Sequence, residues 1–329
     1  MAGLKDEISV GIFADLSHHC AKQLSGPVMI LREPPSSLKL FFIVQGSVVP
    51  AILGKISTIA LLALLVVALD YFFVPLPHIS IAAMGIFGVA LSLFLGFRNN
   101  AAYDRWWEAR KLWGSLIAEI RNLARQTSLF VRDDEARQDI LNHAVAFAHL
   151  HRGFLRKTDV KDQIVPFIGA DKADQLQSFR NPADAALRDI AEQLSVLADR
   201  KRIDGFGQMT LSGTLSSLAT AQASCERIQT TPLPYVYSLL VRRTTYLYCG
   251  LLPFALLEAT GWFAPVFAAV VAYVFFGLQT VTNELERPFH DLQNGLPLDA
   301  LCRTIETSVA EATGKPAPDP VPVVNHVLS

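Results

Sequence analysis

The sequence carries little charge for its length. Of its 329 residues, only 18% are Asp, Glu, Lys or Arg, whereas 51% are apolar, and the mean hydropathy is positive. The length alone would allow two soluble domains, but this composition favours a chain with part of its mass in lipid. The net charge of −1 gives no sign of a nucleic-acid or strongly acidic partner.

Cysteine motifs, leader sequences and catalytic motifs are also scarce. Four cysteines lie far apart without Cys-x-x-Cys spacing, which predicts scattered reduced thiols rather than disulfides or a zinc site; they are Cys20, Cys225, Cys249 and Cys302. The first residues, MAGLKDEISV, lack a basic segment followed by an apolar one, so no cleaved signal peptide is expected. No phosphate-binding loop, GxSxG or HExxH occurs, so the sequence indicates neither an enzyme nor a cofactor.

Long apolar runs are what the chain has instead. Residues 47–74 and 79–97 are each long enough, at about 1.5 Å per helical residue, to cross a hydrocarbon core about 30 Å thick. Residues 232–257 and 261–281 are two further candidates. The sequence therefore predicts an all-α membrane protein with four transmembrane helices.

A polar region separates the two pairs of apolar runs. Apolar positions recur there every three or four residues, which predicts helices over 98–131, 136–157, 183–201 and 206–229. The stretches VPFIGAD, RNPAD and RIDGFG are expected as breaks between these helices. We divide the chain into an N-terminal arm (1–45), transmembrane helices 1 and 2 (46–97), a helical domain (98–232), transmembrane helices 3 and 4 (233–281) and a C-terminal segment (282–329) whose PAPDPVP stretch is expected to be disordered.

The basic residues predict the orientation of the chain. Most of the 29 lysines and arginines lie between Arg98 and Arg227, while the two short connections, PLPH and EATG, have none. Cytosolic loops of membrane proteins are enriched in Lys and Arg. We therefore expect a multi-pass protein of the cell membrane with the helical domain and both termini in the cytosol.

The stretch FLGFRNNAAYDRWWEARKLW, Phe94 to Trp113, joins an apolar run to a charged, tryptophan-rich one without an interruption after Gly96. One helix is expected to continue through it and to relax at Gly114. Its tryptophans suit an interfacial aromatic belt and ordinary packing. The string FLGFRNNAAYDRWWEAR nevertheless resembles the signature of the bestrophin family, pentameric ion channels of animals and bacteria, with Arg105, Trp106, Trp107 and Glu108 at its centre.

Other segments match the same family in order. They are the Gly46-Ser47 pair, the run Ser92–Phe97, Pro234–Tyr237 and ERPFHDLQNGLPLDALCRTIE after the fourth apolar run, so the likeness covers about residues 40–310. The resemblance implies a homopentamer around one axial pore, in which the second span lines a narrow apolar neck. The cytosolic helices would enclose a vestibule that ends in a second constriction.

The neck motif of the family falls on Val89, Leu93 and Phe97, which we call the apolar triplet. Their four-residue spacing places them along one helix face, about 6 Å apart. Five copies would form three apolar rings, and a narrow apolar tube gates by losing and regaining water. Ordinary helix packing is the alternative for these three residues.

Polar residues next to the triplet allow two interpretations. Arg98, Asn99 and Asn100 could present charge and amide dipoles to a passing ion, or they could brace the helix that follows. For the second constriction the RIDGFGQMTLSG region offers Ile203, Met209 and Leu211, of which we choose Met209.

Two groups of residues are considered as possible metal ligands. Asp291 and Asp299 are isolated, so no calcium-binding loop is expected where animal bestrophins carry one. His143, His149 and His151 differ too much in direction and height along a helix to share an ion, and they are expected at the surface or in a vestibule. No metal site is predicted.

Arg242 and Arg243 interrupt the third run, and Glu284 or Glu286 are their expected partners. Their expected role is a structural pair or a lipid-headgroup anchor, with ion permeation as the alternative.

The family resemblance and the long apolar runs together predict an ion channel that passes chloride or another small anion. Its expected partners are further copies of itself, membrane lipid and the permeant ion, without nucleic acid. A cation-selective, sodium-type channel is the close alternative, because apolar rings carry no charge sign. A secondary transporter fits less well since no inverted repeat is evident; a membrane-anchored binding module is the third possibility.

Overall fold

A computed structural model describes residues 29–30, 47–322 and 327–328. The predicted N-terminal arm therefore lies outside the described residues except for one short strand, and Gly46 and Cys20 lie outside them altogether. The described chain is helical apart from an antiparallel pairing of β1 (Met29–Ile30) with β2 (Val327–Leu328). Its α-helices are, in order, α1 Val49–Phe72, α2 Ile81–Phe130, α3 Asp134–Arg156, α4 Lys161–Ile168, α5 Ala170–Gln177, α6 Pro182–Asp199, α7 Gly205–Thr230, α8 Tyr235–Thr260, α9 Ala264–Leu285 and α10 Leu298–Ala312.

The chain divides into two compact units. Of the described residues, we call 47–111 and 226–288 the apolar unit; it contains α1, the first part of α2, α8 and α9. The described residues 29–30, 112–225, 289–322 and 327–328 form the polar unit, which contains the rest of α2, α3 to α6, α10 and most of α7. Within the described residues, three stretches are long and apolar enough to cross a membrane: Val49–Phe72, Ile81–Phe130 and Tyr235–Leu285.

The third of these stretches consists of two helices. A short 3-10 turn, Gly261–Phe263, separates α8 from α9. Gly261 has φ 51°, a left-handed conformation that glycine adopts without the steric cost of a side chain. The four predicted apolar runs thus correspond to α1, the start of α2, α8 and α9.

Small side chains hold the apolar unit together. In α9, Ala264, Ala268 and Ala272 recur at four-residue spacing and are fully buried, and α9 packs mainly on α1. Small residues at this spacing let helices approach closely where water provides no driving force. On α2, Gly88 lies so close to Tyr248 that a Cβ there would be 2.7 Å from the phenol oxygen.

The polar unit is built around α3, which is buried over most of its length and packs against α4, α6 and α10. Among the described residues of this unit, side chains cap the starts of α3, α6 and α7, the last through Asp204, which accepts from the N–H of Gly207. Asp133 accepts a hydrogen bond from the backbone N–H of Ala136 at 3.2 Å, and Asn181 accepts one from Asp184 at 3.2 Å. Such caps satisfy N–H groups that the first helical turn leaves unpaired.

Two local predictions require correction. VPFIGAD is not a loop: it belongs to α4 and α5, which are interrupted only at Gly169, with φ 77°. Packing of α4 on α3, with Ile164 fully buried, overrides the loop preference of Pro166 and its neighbours. In addition, Gly114 does not relax α2, which continues without a break to Phe130.

Candidate functional site

The apolar triplet lies on one face of α2 and outside the core of the chain. Val89, Leu93 and Phe97 are 63%, 56% and 64% exposed. The opposite face of the same helix is buried and carries Leu91, Leu95, Arg98, Ala102 and Ala109. The helix therefore has one face that packs within the chain and one apolar face that is exposed.

Arg98 is the charged residue on the buried face, and it is only 1% exposed. Its Nε and Nη2 donate to Oε1 of Glu286 at 2.9 and 2.6 Å, and Nη2 also donates to Oδ1 of Asn283 at 2.8 Å. Successive residues of a helix point about 100° apart. Because Arg98 is held inward, Phe97 is directed away from the core. This geometry corresponds to the interpretation in which Arg98 braces the helix.

The two asparagines that follow Arg98 lie on different faces of α2. Asn99 accepts a hydrogen bond from the Thr282 hydroxyl of α9 at 3.1 Å, whereas Asn100 is exposed on the side of the triplet. One turn before Arg98, the Tyr237 hydroxyl donates to the carbonyl of Phe94 at 2.9 Å. Polar contacts from α8 and α9 thus fix α2 directly around the end of the triplet.

Arg105 joins the ends of two other helices to α2. Its Nε donates to the carbonyl of Glu286 at 2.9 Å, and its Nη1 donates to the carbonyl of Thr231 at 2.6 Å. These carbonyls lie at the C-terminal ends of α9 and α7, where helices leave acceptors without intrahelical partners. Burial lowers the pKa of Arg105, and the nearby carboxylates of Glu286 and Glu108 oppose that shift.

The other signature residues also contact their surroundings within the apolar unit. Glu108 accepts a hydrogen bond from Arg227 of α7 at 2.7 Å. Trp106 stacks between Tyr103 and Trp107, with ring centroids 6.3 Å apart on both sides, and Trp107 is 47% exposed. The signature therefore both braces α2 and places one tryptophan at the surface of the subunit.

Of the three candidates for a second constriction, only one points outward. Met209 on α7 is 70% exposed, whereas Ile203 and Leu211 are buried. The neighbouring Phe206 is exposed as well. This exposure is compatible with the choice of Met209, whose role in a constriction stays a prediction.

The expected surface position of the three histidines is wrong. His143, His149 and His151 are all buried in the polar unit. His149 Nε2 lies 2.6 Å from Oε1 of Glu306, and the His151 ring stacks on Trp113, with centroids 5.6 Å apart. The periodicity of α3 could not show that neighbouring helices enclose it on almost every side.

The expected pairing of the α8 arginines is also wrong. Arg242 and Arg243 are exposed, and Glu286 pairs with Arg98 instead. Sequence reasoning recognised Glu286 as a charge near the membrane boundary but assigned it to the wrong helix. It missed Asn283, Thr282 and Thr231, since no pattern in the sequence shows that α9 and α7 end against α2.

Arginines hold the segment after α9 in the polar unit. Arg152 and Arg156 both bind the carboxylate of Asp299, the latter at 2.6 Å, and Arg156 lies 3.8 Å from Asp291. Burial raises the pKa of Asp291, against the opposing charge of Arg156. These carboxylates face guanidinium groups, and the described residues contain no group of three metal-binding side chains. The absence of a calcium-binding loop remains a prediction.

Long apolar helices and a braced helix with an exposed apolar triplet define a helical membrane protein. A sequence model described as Bacterial/Fungal Bestrophin protein matches residues 29–311. The chain belongs to this bestrophin family, which confirms the resemblance seen in the sequence.

Individual relatives cover most of the chain. It is 47% identical over 304 residues to a voltage-dependent anion channel-forming protein of Mesorhizobium japonicum, covering 92% of this chain and 98% of that protein. It is 35% identical to the voltage-dependent anion channel-forming protein YneE of Escherichia coli K12, with 88% and 98% covered. The crystal structure of a bacterial bestrophin homologue from Klebsiella pneumoniae matches with a TM-score of 0.76, 30% identity and coverage of 80% of this chain and 99% of that one.

Proposed function

We propose that the chain forms a homopentameric ion channel that passes small anions, with chloride as the default ion. The observation that carries this proposal is the outward apolar triplet on a helix whose other face is buried and bound by α8 and α9. Five such helices around one axis would form three apolar rings. The names of the relatives, which describe anion channel-forming proteins, support the anion assignment.

In this proposal the neck gates by wetting and drying. An apolar tube that is narrow expels water and ions, and a modest widening restores a conducting column. The triplet offers no hydrogen-bonding group, so ions would pass without a dedicated binding site and would flow down their electrochemical gradient. Met209 would form the second constriction.

The proposed topology has four crossings, formed by α1, the start of α2, α8 and α9. The two short connections, PLPH and EATG, lack Lys and Arg, whereas most basic residues lie between Arg98 and Arg227. This distribution supports a cytosolic location of the helical domain and of both termini in the cell membrane.

A cation-conducting channel is the second candidate, and one observation favours it. Arg98, the basic residue nearest the triplet, is buried and paired with Glu286, whereas Asp104 is exposed on the same helix. The charge that an ion meets after the apolar rings could therefore be negative.

Recording from purified protein in planar bilayers tests both candidates. We expect discrete unitary currents, and the reversal potential under a salt gradient identifies the ion sign. The double substitution Leu93→Ala, Phe97→Ala should raise the open probability because it widens two of the three rings. Native mass spectrometry should give five copies. A monomer, or a double variant with unchanged gating, would remove the neck assignment.

A further inference from the structure

The exposed face of α2 continues beyond the apolar triplet. Counting about 100° per residue, Asn100, Asp104, Trp107 and Lys111 follow Phe97 on the same side of the helix. All four are exposed in the subunit. If the triplet lines a pore, these residues line the passage that an ion enters next.

Asp104 is the first charged residue on this face. It lies seven residues after Phe97, about 10 Å along the helix and within about 20° of its direction. Among the described residues, no hydrogen bond or ion pair engages its carboxylate. Its charge is therefore available to a passing ion.

Three other charged residues of this stretch, Arg98, Arg105 and Glu108, are engaged within the chain. Arg98 binds Glu286 on the buried face, and Arg105 binds the carbonyls of Glu286 and Thr231. Glu108 is paired with Arg227 at 2.7 Å. These pairings remove the basic residues closest to the triplet from the ion path and leave a carboxylate in their place.

We propose that Asp104 is a selectivity-determining residue, whose fivefold ring of carboxylates attracts cations and repels anions at the end of the neck. The inference rests on the proposed function, because it requires the triplet face to line the pore. A narrow apolar neck amplifies the effect, since it forces ions to pass near the ring and limits screening by water. The ring opposes the anion preference expected from the relatives.

Lys111 provides an internal counterpart on the same face. It lies seven residues after Asp104, about 10 Å further along the helix. Its ammonium group carries the opposite sign, so neutralising it should shift the ion preference in the opposite direction. Neutralising Asp104 and neutralising Lys111 should therefore change the anion-to-cation permeability ratio in opposite directions.

The test is the substitution Asp104→Asn in the full-length protein. Currents of the variant are recorded in planar bilayers under an about tenfold salt gradient. The amide keeps the size of the side chain and removes its charge. We expect the anion-to-cation permeability ratio to rise on the order of fivefold in about 0.1 M salt. This is the size of effect expected when five unit charges act through water on an ion about 10 Å away. Lys111→Gln should lower the ratio.

Ionic strength separates an electrostatic effect from a structural one. In about 1 M salt the Debye length falls to about 3 Å, so the effect of Asp104→Asn should largely disappear. Asp134→Asn on α3, where the carboxylate is 85% exposed, is the matched control and should leave the ratio unchanged. A current with the parental reversal potential at low salt, or a shift that persists at high salt, would overturn the inference. Absence of current in the parent protein would instead overturn the proposed function.

Discussion

The apolar and polar units place their charged and apolar side chains in opposite ways. In the apolar unit, large side chains such as Leu61, Phe267 and Val270 are exposed, while Arg98 is buried against Glu286. In the polar unit, ion pairs such as Arg188–Asp184 lie at the surface and apolar residues fill most of the interior, where Arg152 and Arg156 also pair with Asp299. The outer surface of the apolar unit suits hydrocarbon, so its interior can hold the polar contacts that position α2.

This difference changes what exposure indicates. An exposed apolar side chain in the polar unit, such as Leu129, meets water, whereas one in the apolar unit suits contact with lipid. Conversely, a buried ion pair in the apolar unit has few alternative partners if it is broken. The largest effects of single substitutions are therefore expected where charge is buried among apolar helices.

Arg98→Met should have the largest effect on stability. It leaves the Glu286 carboxylate without its cation, and breaking a buried pair costs about 3–5 kcal/mol. Arg188→Met, which removes one member of a pair whose side chains are 61% and 54% exposed, should cost about 1 kcal/mol or less. Thermal denaturation of both variants in detergent measures the contrast. Equal shifts in melting temperature would show that the Arg98 pair contributes no more than a surface pair.

Gly88→Ala sharpens the comparison within the apolar unit. The new Cβ would lie 2.7 Å from the Tyr248 oxygen, and Tyr248 itself packs edge-on against Phe87 and Phe275, so it cannot move freely. Overpacking of this kind costs about 1–3 kcal/mol. Gly85→Ala, where a Cβ meets nothing within 4 Å, is the matched control and should leave the melting temperature almost unchanged. A larger loss for Gly85→Ala than for Gly88→Ala would contradict the packing described for α2 and α8.

His151 makes the polar unit sensitive to acid. Burial lowers the pKa of His151 to about 3, against 6.5 for an ordinary histidine, so the unfolded chain binds a proton that the folded chain excludes. Stability is therefore lost as the pH falls below about 6.5, by about 2 kcal/mol at pH 5.

The measurement is the drop in melting temperature between pH 7.5 and pH 5 for the parent and for His151→Leu. We expect a smaller drop in the variant, because leucine cannot take up the proton. His78→Leu, at a histidine that is 45% exposed, is the control. An identical pH dependence of the parent and His151→Leu would exclude a role for His151 in acid sensitivity.

Several features of the fold were predictable because they depend on local chemistry. The long apolar runs correspond to helices α1, α8 and α9, and the triplet spacing places Val89, Leu93 and Phe97 on one face. The RNPAD break was also predictable, since Asn181 caps α6 and proline suits the first turn of a helix. Each of these depends on residues close together in the chain.

Other features depended on which helices meet. The burial of His151 requires α2 and α3 to lie side by side, and the pairing of Glu286 with Arg98 joins residues 188 positions apart. The expectation of a loop at VPFIGAD is wrong for the same reason, because packing of α4 on α3 outweighs a local preference for a turn. No single-sequence pattern contains this information.

The sequence by itself determined the apolar character of the chain, its membership of a channel family and the spacing of the triplet. The apolar character and the spacing follow from composition and from the fixed geometry of a helix, which neighbouring residues alone dictate. The family membership follows from the resemblance of the FLGFRNNAAYDRWWEAR string and from the family match over residues 29–311. Only the tertiary structure decided that Arg98 points inward, that its charge is neutralised, and that Asp104 is left exposed beyond the triplet. The physical reason is that the direction of a helix face is set by long-range contacts, here those of α9 and α8 with α2.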